Sequence, residues 1–253
     1  MSIGRRKVSL EHEKSWVFNR MVDAYGARPP YPDTLVKVLC EVAPKGARVL
    51  DVGAGIGHLT LPLAGAGLHV TALEPAIHML EHLRQRVHAA NLAVNLVHGM
   101  AEELPFPDNT FDVVLLADAL HFLDSERAAR EMARVATRGS TLAVVVCTFG
   151  GTPFMDDLLA IMERAAPRRP RDTAQSLTEL FAVSRLRRPE PLRWVQELEV
   201  DEATLFQILG SISFIGPAMN AERTAAFREQ VRNIPHPRRW AREVCLYSAT
   251  RSK

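Results

Sequence analysis

The stretch VLDVGAGIGHLT, from Val49 to Thr60, sets a carboxylate, Asp51, and the glycines Gly53, Gly55 and Gly57 between an apolar run and a helix-like run. A second carboxylate, Glu74, ends the next apolar run, LHVTALE. Glycines at such a turn let a backbone approach a bound molecule, because no Cβ stands in the way. An ionised carboxylate at the neighbouring strand end suits a pair of hydroxyls, since charge-assisted hydrogen bonds are the strong ones. These residue types describe a place for a nucleotide-like cofactor.

Three cofactor chemistries compete for that turn. A dinucleotide fingerprint is G-x-G-x-x-G with an acid about 20 positions on. Here His58 stands where its third glycine belongs, the one that allows close helix–strand packing. A phosphate-binding P-loop needs a lysine after its glycines, and none follows. S-adenosylmethionine carries no phosphate, so bare glycine backbone and a helix N-terminus would serve an amino-acid carboxylate and a ribose.

The turn needs a strand before it and a helix after it, and the pattern supplies both repeatedly. ARVLDVG, LHVTALE, AVNLVHG, FDVVLLAD and STLAVVVCTF read as strands. The fourth is apolar almost throughout, as a strand buried on both faces is. HLTLPLAGAG, PAIHMLEHLRQRVHAA and SERAAREMARVA read as helices. Ile77, Leu80, Leu83 and Val87 make one apolar face, and Asp124 is placed to cap the last helix. Strand–helix alternation implies parallel pairing with right-handed crossovers. Ligands of such sheets bind at the carboxyl ends of the strands.

Before this core, prolines at 29, 30 and 32 divide an amphipathic stretch into two helical pieces. After it, residues 152–190 read as helical, LRWVQELEV as a strand, then two helical pieces, and AREVCLYSAT as a closing strand. The expectation is an α/β fold: a doubly wound, Rossmann-like, mostly parallel seven-stranded sheet with an N-terminal helical cover and a helical lid insertion after the fifth strand. Residues 1–253 are read as a single domain. Its parts are the cover (10–45), the cofactor-binding core (46–149), the lid (150–190) and the strands and helices completing the sheet (191–253).

Hydrophobic residues make up 47% and charged residues 24% of the 253, an ordinary globular balance. A net charge of +2 is too mild for a nucleic-acid partner. No run approaches the roughly 20 apolar residues of a membrane span, and the start lacks a signal-peptide core. The 3 cysteines, Cys40, Cys147 and Cys245, form no CxxC pair and read as reduced thiols, which points to the cytoplasm. His78, His82 and His88 lie on one helix without a matching carboxylate or cysteine cluster, so no metal is expected.

Four motifs in order resemble the class I S-adenosylmethionine-dependent methyltransferases: VLDVGAGIGHLT, VTALEPAIHML, HGMAEELPFPDNTFDVVLLADALHFLD and EMARVATRGSTLAVV. They cover about residues 48–149 and are similar to the small-molecule group that includes quinone C-methylating and trans-aconitate-like enzymes. The resemblance implies a cofactor site of Asp51, Gly53, Ala54, Gly55 and Gly57, then Glu74, Pro75 and Met79. Asp51 would orient the cofactor's ammonium group and Glu74 would hold the ribose. Met100, Ala101 and Glu102 would hold the adenine; where many members carry an acid, this chain has Met100, so Glu102 or the main chain takes over. Ala117, Asp118 and Ala119 would border the methionine portion. ARPPYP is similar to a cofactor-covering segment of some members, and places Tyr25 and Arg28 over the cofactor.

Methyl transfer is an in-line displacement, so alignment and water exclusion carry most of it. The resemblance implies an acceptor pocket of Tyr31, His121, Phe122, Phe154, Met155 and Phe214. His121 is the candidate base where the acceptor is protonated. His58 reads as a packing or capping residue. The arginines at 164, 168, 169, 171, 185, 187, 188 and 193 are read as a solvated face, with recognition of an acidic acceptor as the alternative. The expected activity is methylation of a small molecule on O, N or C by a monomer or homodimer. The alternatives are a nicotinamide-dependent oxidoreductase and a catalytically silent S-adenosylmethionine-binding partner protein.

Overall fold

The computed structural model describes residues 17–167, 172–213, 215 and 221–251. Phe214 and Arg168, Arg169 and Arg171 lie outside the described residues. A seven-stranded sheet runs in the order β3-β2-β1-β4-β5-β7-β6. The strands are β1 (Arg48–Val52), β2 (His69–Glu74), β3 (Val94–His98), β4 (Phe111–Ala117), β5 (Ala136–Phe149), β6 (Leu192–Glu199) and β7 (Arg239–Thr250). The first five pair in parallel. β7 enters antiparallel between β5 and β6, so the sheet is mixed. The order reverses beside β1, which puts the glycine turn at the switch point, where ligands of such sheets sit.

Alternation along the strands divides the core. On one face Leu50, Val52, Val114, Leu116 and Val144 pack with Ala128, Ala129, Met132 and Val135 of the helix Ser125–Val135. On the other, Val49, Val70, Val113, Leu115 and Val145 meet Leu35 and Leu39 of Asp33–Val42 and Leu63 of Thr60–Gly65. The helix Ile77–Ala89 adds Leu83 and Val87 against Ala72. The Asp124 carboxylate accepts from the Arg127 N–H at 3.3 Å and caps the helix Ser125–Val135, as its position in the sequence predicts.

The helical stretch expected between 150 and 190 divides into two parts with different roles. Pro153–Ala165 joins Glu202–Gly210, Ala221–Arg232 and Trp240 in a separate apolar cluster that also takes in Phe149, the end of β5. Thr173–Val183 instead inserts Leu177, Leu180 and Phe181 into the main core. It is a layer helix of the sheet rather than a cover.

Gly57 explains how the turn after β1 packs without a glycine at position 58. It has φ +85°, and a Cβ there would stand 2.4 Å from Cδ1 of both Leu61 and Leu83. The close-approach glycine is therefore present one position earlier than the dinucleotide fingerprint requires. Gly57→Ala combines a left-handed backbone with overpacking, and is expected to lower stability by about 3 kcal/mol. A urea unfolding midpoint measures it; an unchanged midpoint would show that the loop has room to yield.

Candidate functional site

The site begins with the geometry of the glycine turn. The Gly53 and Ala54 N–H groups both donate to the Leu73 carbonyl, at 2.8 and 3.1 Å, tying the turn to the end of β2. Gly53 has φ +71°, and a Cβ on it would lie 2.9 Å from the Ala119 Cβ. The turn and the end of β4 therefore approach as closely as glycine allows. Beside them, Glu74 Oε2 accepts from the Gly55 N–H and Oε1 from the Ala76 N–H, both at 2.8 Å. Each oxygen keeps a further lone pair for another donor. Burial pushes the Glu74 carboxyl up to about 7, against the two N–H bonds that favour its ionised form.

These elements frame a cavity at the carboxyl ends of β1, β2 and β4. Gly53, Gly55, Glu74, Pro75 and Met79 form one wall. Met100, Ala101 and Glu102 follow β3, and Ala117, Asp118 and Ala119 follow β4. Phe18, Tyr25, Phe122 and Leu123 also contribute. Among the described residues, its charged lining residues are Glu74, Glu102 and Asp118, all acids, with no lysine, arginine or histidine. A wall of that sign repels phosphate and favours a cationic ligand.

The aromatic side of the cavity comes from the cover. Phe18 meets Phe122 edge-on at 4.8 Å between ring centroids and Tyr25 at 6.4 Å. Arg28 lies over the Tyr25 ring at 4.0 Å, and its Nη1 donates to the Tyr25 hydroxyl oxygen at 3.1 Å. Arg28 is itself held by Ser211, donating to the hydroxyl at 2.9 Å and to the carbonyl at 2.6 Å. With its oxygen accepting from Arg28, the Tyr25 O–H is oriented to donate elsewhere. Burial pushes its pKa up, so the proton stays on.

Several residues assigned from the sequence stand off the cavity wall. The Asp51 carboxylate is buried and accepts from the Thr60 hydroxyl at 2.6 Å, and burial pushes it up to about 6. Ala54 and Gly57 belong to the turn's packing, and Arg28 stands behind Tyr25. Tyr31 donates to Asp118 Oδ2 at 3.0 Å. His121 is exposed, with its ring 3.9 Å from that of Phe122. Phe154 and Met155 need correction as acceptor-pocket residues. They are fully buried in the apolar cluster around Trp240, because their helix turns that face to Leu205, Ile208 and Phe227. His58 is a packing residue: among the described residues its buried Nε2 has no partner, and burial lowers its pKa to about 4. Among the described residues, no group of three or more His, Cys, Asp or Glu is placed to hold a metal ion.

Sequence reasoning missed Phe18, Val52, Leu73 and Leu123 on the wall. Val52 and Leu73 carry a positional signal, as neighbours of Gly53 and Glu74 at strand ends. Phe18 carries none, because it arrives through the fold of the cover. Asp118 proves more constrained than a wall residue need be. It has φ +50°, and its Oδ1 accepts from the Cys147 N–H at 2.7 Å. Backbone strain of this kind persists where surrounding contacts over-determine it.

Comparison with known proteins agrees with this geometry. Residues 50–144 match the family described as "Methyltransferase domain". An uncharacterized methyltransferase of Mycobacterium tuberculosis H37Rv is 41% identical over 146 residues, which are 57% of this chain and 55% of that protein. The matched stretch thus spans about half the length of the curated relative. Among solved structures, the YcgJ protein from Bacillus subtilis superimposes with a TM-score of 0.63 at 18% identity, over 88% of this chain and 100% of that one. A geranyl diphosphate methyltransferase in complex with GPP and sinefungin gives 0.52 at 16% identity, over 87% and 78%. Both structures share the fold. The stretch 50–144, which holds β2 to β4 and most of β1 and β5, is thus the part of the chain that matches a methyltransferase domain.

Proposed function

We propose that this chain is an S-adenosylmethionine-dependent methyltransferase acting on a small molecule at an O, N or C atom. The acidic lining carries the reading: Glu74, Glu102 and Asp118 are the charged residues on the cavity wall among the described residues. A nicotinamide dinucleotide would bring its diphosphate against that field. S-adenosylmethionine brings a sulfonium and an ammonium, and when bound it supplies a methyl group to an in-line nucleophile.

The residues present fit this cofactor. Glu74, already oriented by the Gly55 and Ala76 N–H groups, can accept from both ribose hydroxyls. The Tyr25 O–H, backed by Arg28, can donate to the amino-acid carboxylate. Asp118 and the other wall carboxylates offset the positive charge. Met79, Ala101 and Leu73 supply apolar surface for a base. Phe18, Tyr25 and Phe122 exclude water on the cover side, which strengthens each electrostatic contact within. Among the described residues no lysine, arginine or histidine lines the cavity, so the carboxylates of Glu74, Glu102 and Asp118 are the groups there that could take a proton, and the geometry supports alignment first. His121, exposed beside Phe122, can act as a base only on an acceptor that reaches past that ring.

Calorimetry with S-adenosylhomocysteine tests the cofactor. Wild type is expected to bind, and Glu74→Ala to weaken binding about a hundredfold, since bonds to a buried charge are lost. Tyr25→Phe removes one neutral donor and is expected to cost about fivefold. Binding of reduced nicotinamide dinucleotide in place of S-adenosylhomocysteine would favour the oxidoreductase. Transfer of a labelled methyl group to an acceptor separates an enzyme from a silent binding protein.

The pH dependence follows from Glu74. Its carboxyl is raised to about 7 by burial, and the ionised form is the better acceptor. Below that pH a proton must leave before the ribose is held, so affinity is expected to fall by up to tenfold per unit. It should level off above about 8. Glu74→Gln should flatten the profile; a slope that survives in it would assign the titration to another group.

A further inference from the structure

The sheet has two edges, and they are finished differently. β3 is short, and its Val94, Leu96 and Val97 pack against helix and core. β6 runs for eight residues with one side paired to β7 and, among the described residues, the other side open. Among the described residues, five large apolar side chains are exposed. Two of them, Met100 and Phe122, border the cavity. The other three, Leu192, Val195 (72% exposed) and Leu198, all lie on β6. A long open edge with apolar side chains is a template for another strand.

We infer that β6 pairs antiparallel with β6 of a second copy of this chain, about a two-fold axis at Val195, joining the two sheets into one. The choice of occupant rests on self-complementarity of sequence and charge. Outward-facing N–H and C=O groups alternate along an edge, so a two-fold between identical antiparallel strands must pass through a residue pair. Centred on Val195, the register sets Val195 against Val195, Leu192 against Leu198, and Arg193 against Glu197 of the second copy. Directly opposed residues share a face, so each exposed apolar side chain meets another and each Arg193 meets an acid. A centre at Trp194 would set Arg193 against Val195. A centre at Gln196 would set Val195 against Glu197. Only the Val195 register matches both kinds of side chain.

The rest of the edge agrees with this arrangement. Arg193 already reaches across its own sheet to Glu243 at 2.9 Å, so its guanidinium is held on the face where Glu197 of the second copy would arrive. Trp194 packs inward on the opposite face, and Gln196 donates to the Pro30 carbonyl at 3.3 Å. These contacts fix the strand before a partner meets it. β7 and β5 separate β6 from β4, whose end borders the cavity. Pairing therefore leaves the cavity intact in each copy.

Sedimentation of the full chain over a wide concentration series tests the pairing. Wild type is expected to form a reversible dimer. Val195→Lys and Glu197→Arg are each expected to weaken it at least tenfold, with unchanged unfolding midpoints and unchanged S-adenosylhomocysteine binding. Adding Arg193→Glu to Glu197→Arg should restore the dimer, because the opposed charges are exchanged and the register is kept. Hydrogen exchange on the wild type gives an arm that needs no variant: amides of 192–199 should gain protection at high concentration. A protein monomeric at every concentration would overturn the proposal. So would a dimer indifferent to Val195→Lys, or a folded double-reversal variant that stays monomeric.

Discussion

The site depends on a buried carboxylate held by two backbone N–H groups. Glu74 ends β2 directly beside the glycine turn, and its oxygens take the Gly55 and Ala76 donors at 2.8 Å each. This bridges the turn after β1 to the chain entering the helix Ile77–Ala89. An ion in such a place is costly to bury unless its hydrogen bonds are satisfied. Here burial and donors oppose each other, and the carboxyl rests near neutrality. A ligand bearing paired hydroxyls would complete the set of donors and favour the charged form. The same group thus orders the loop and defines what the cavity prefers.

The cover and the second half of the chain meet on that site from outside. Arg28 spans Tyr25 and Ser211, which belong to segments far apart in sequence. Arg242, only 5% exposed, donates to the carbonyls of Pro29 and Pro30 and to Gln196. Proline carbonyls in an extended segment have no strand or helix partner of their own, so a buried guanidinium is well suited to satisfy them. These bonds seat Tyr25 and Tyr31 above the ends of β4 and β5. The cavity's aromatic side is therefore held by the C-terminal third of the chain, where sequence resemblance is weakest.

The strands and the turn were legible because their signals are local. Apolar runs, glycines and an N-cap aspartate each act over a few residues, and FDVVLLAD or Asp124 can be read alone. Glu74, Met100 to Glu102 and Ala117 to Ala119 followed, since a parallel sheet sends all these strand ends to one rim. The misreadings concern packing between distant segments. Phe154 and Met155 look like pocket lining until Leu205, Ile208, Phe227 and Trp240 are known to face them. Thr173–Val183 looks like a lid until Phe181 is seen in the main core. His58 argued against a dinucleotide by its position, but Gly57 already supplies the close approach. The acidic lining argues against a dinucleotide more directly than the motif does.

The most direct test of the account is a crystal structure with S-adenosylhomocysteine bound. The account requires both ribose hydroxyls within hydrogen-bond distance of the Glu74 carboxylate, with the Tyr25 hydroxyl on the ligand's carboxylate and Gly53 at its backbone. A ligand seated in the cavity with its ribose away from Glu74, or one bound elsewhere on the chain, would contradict it.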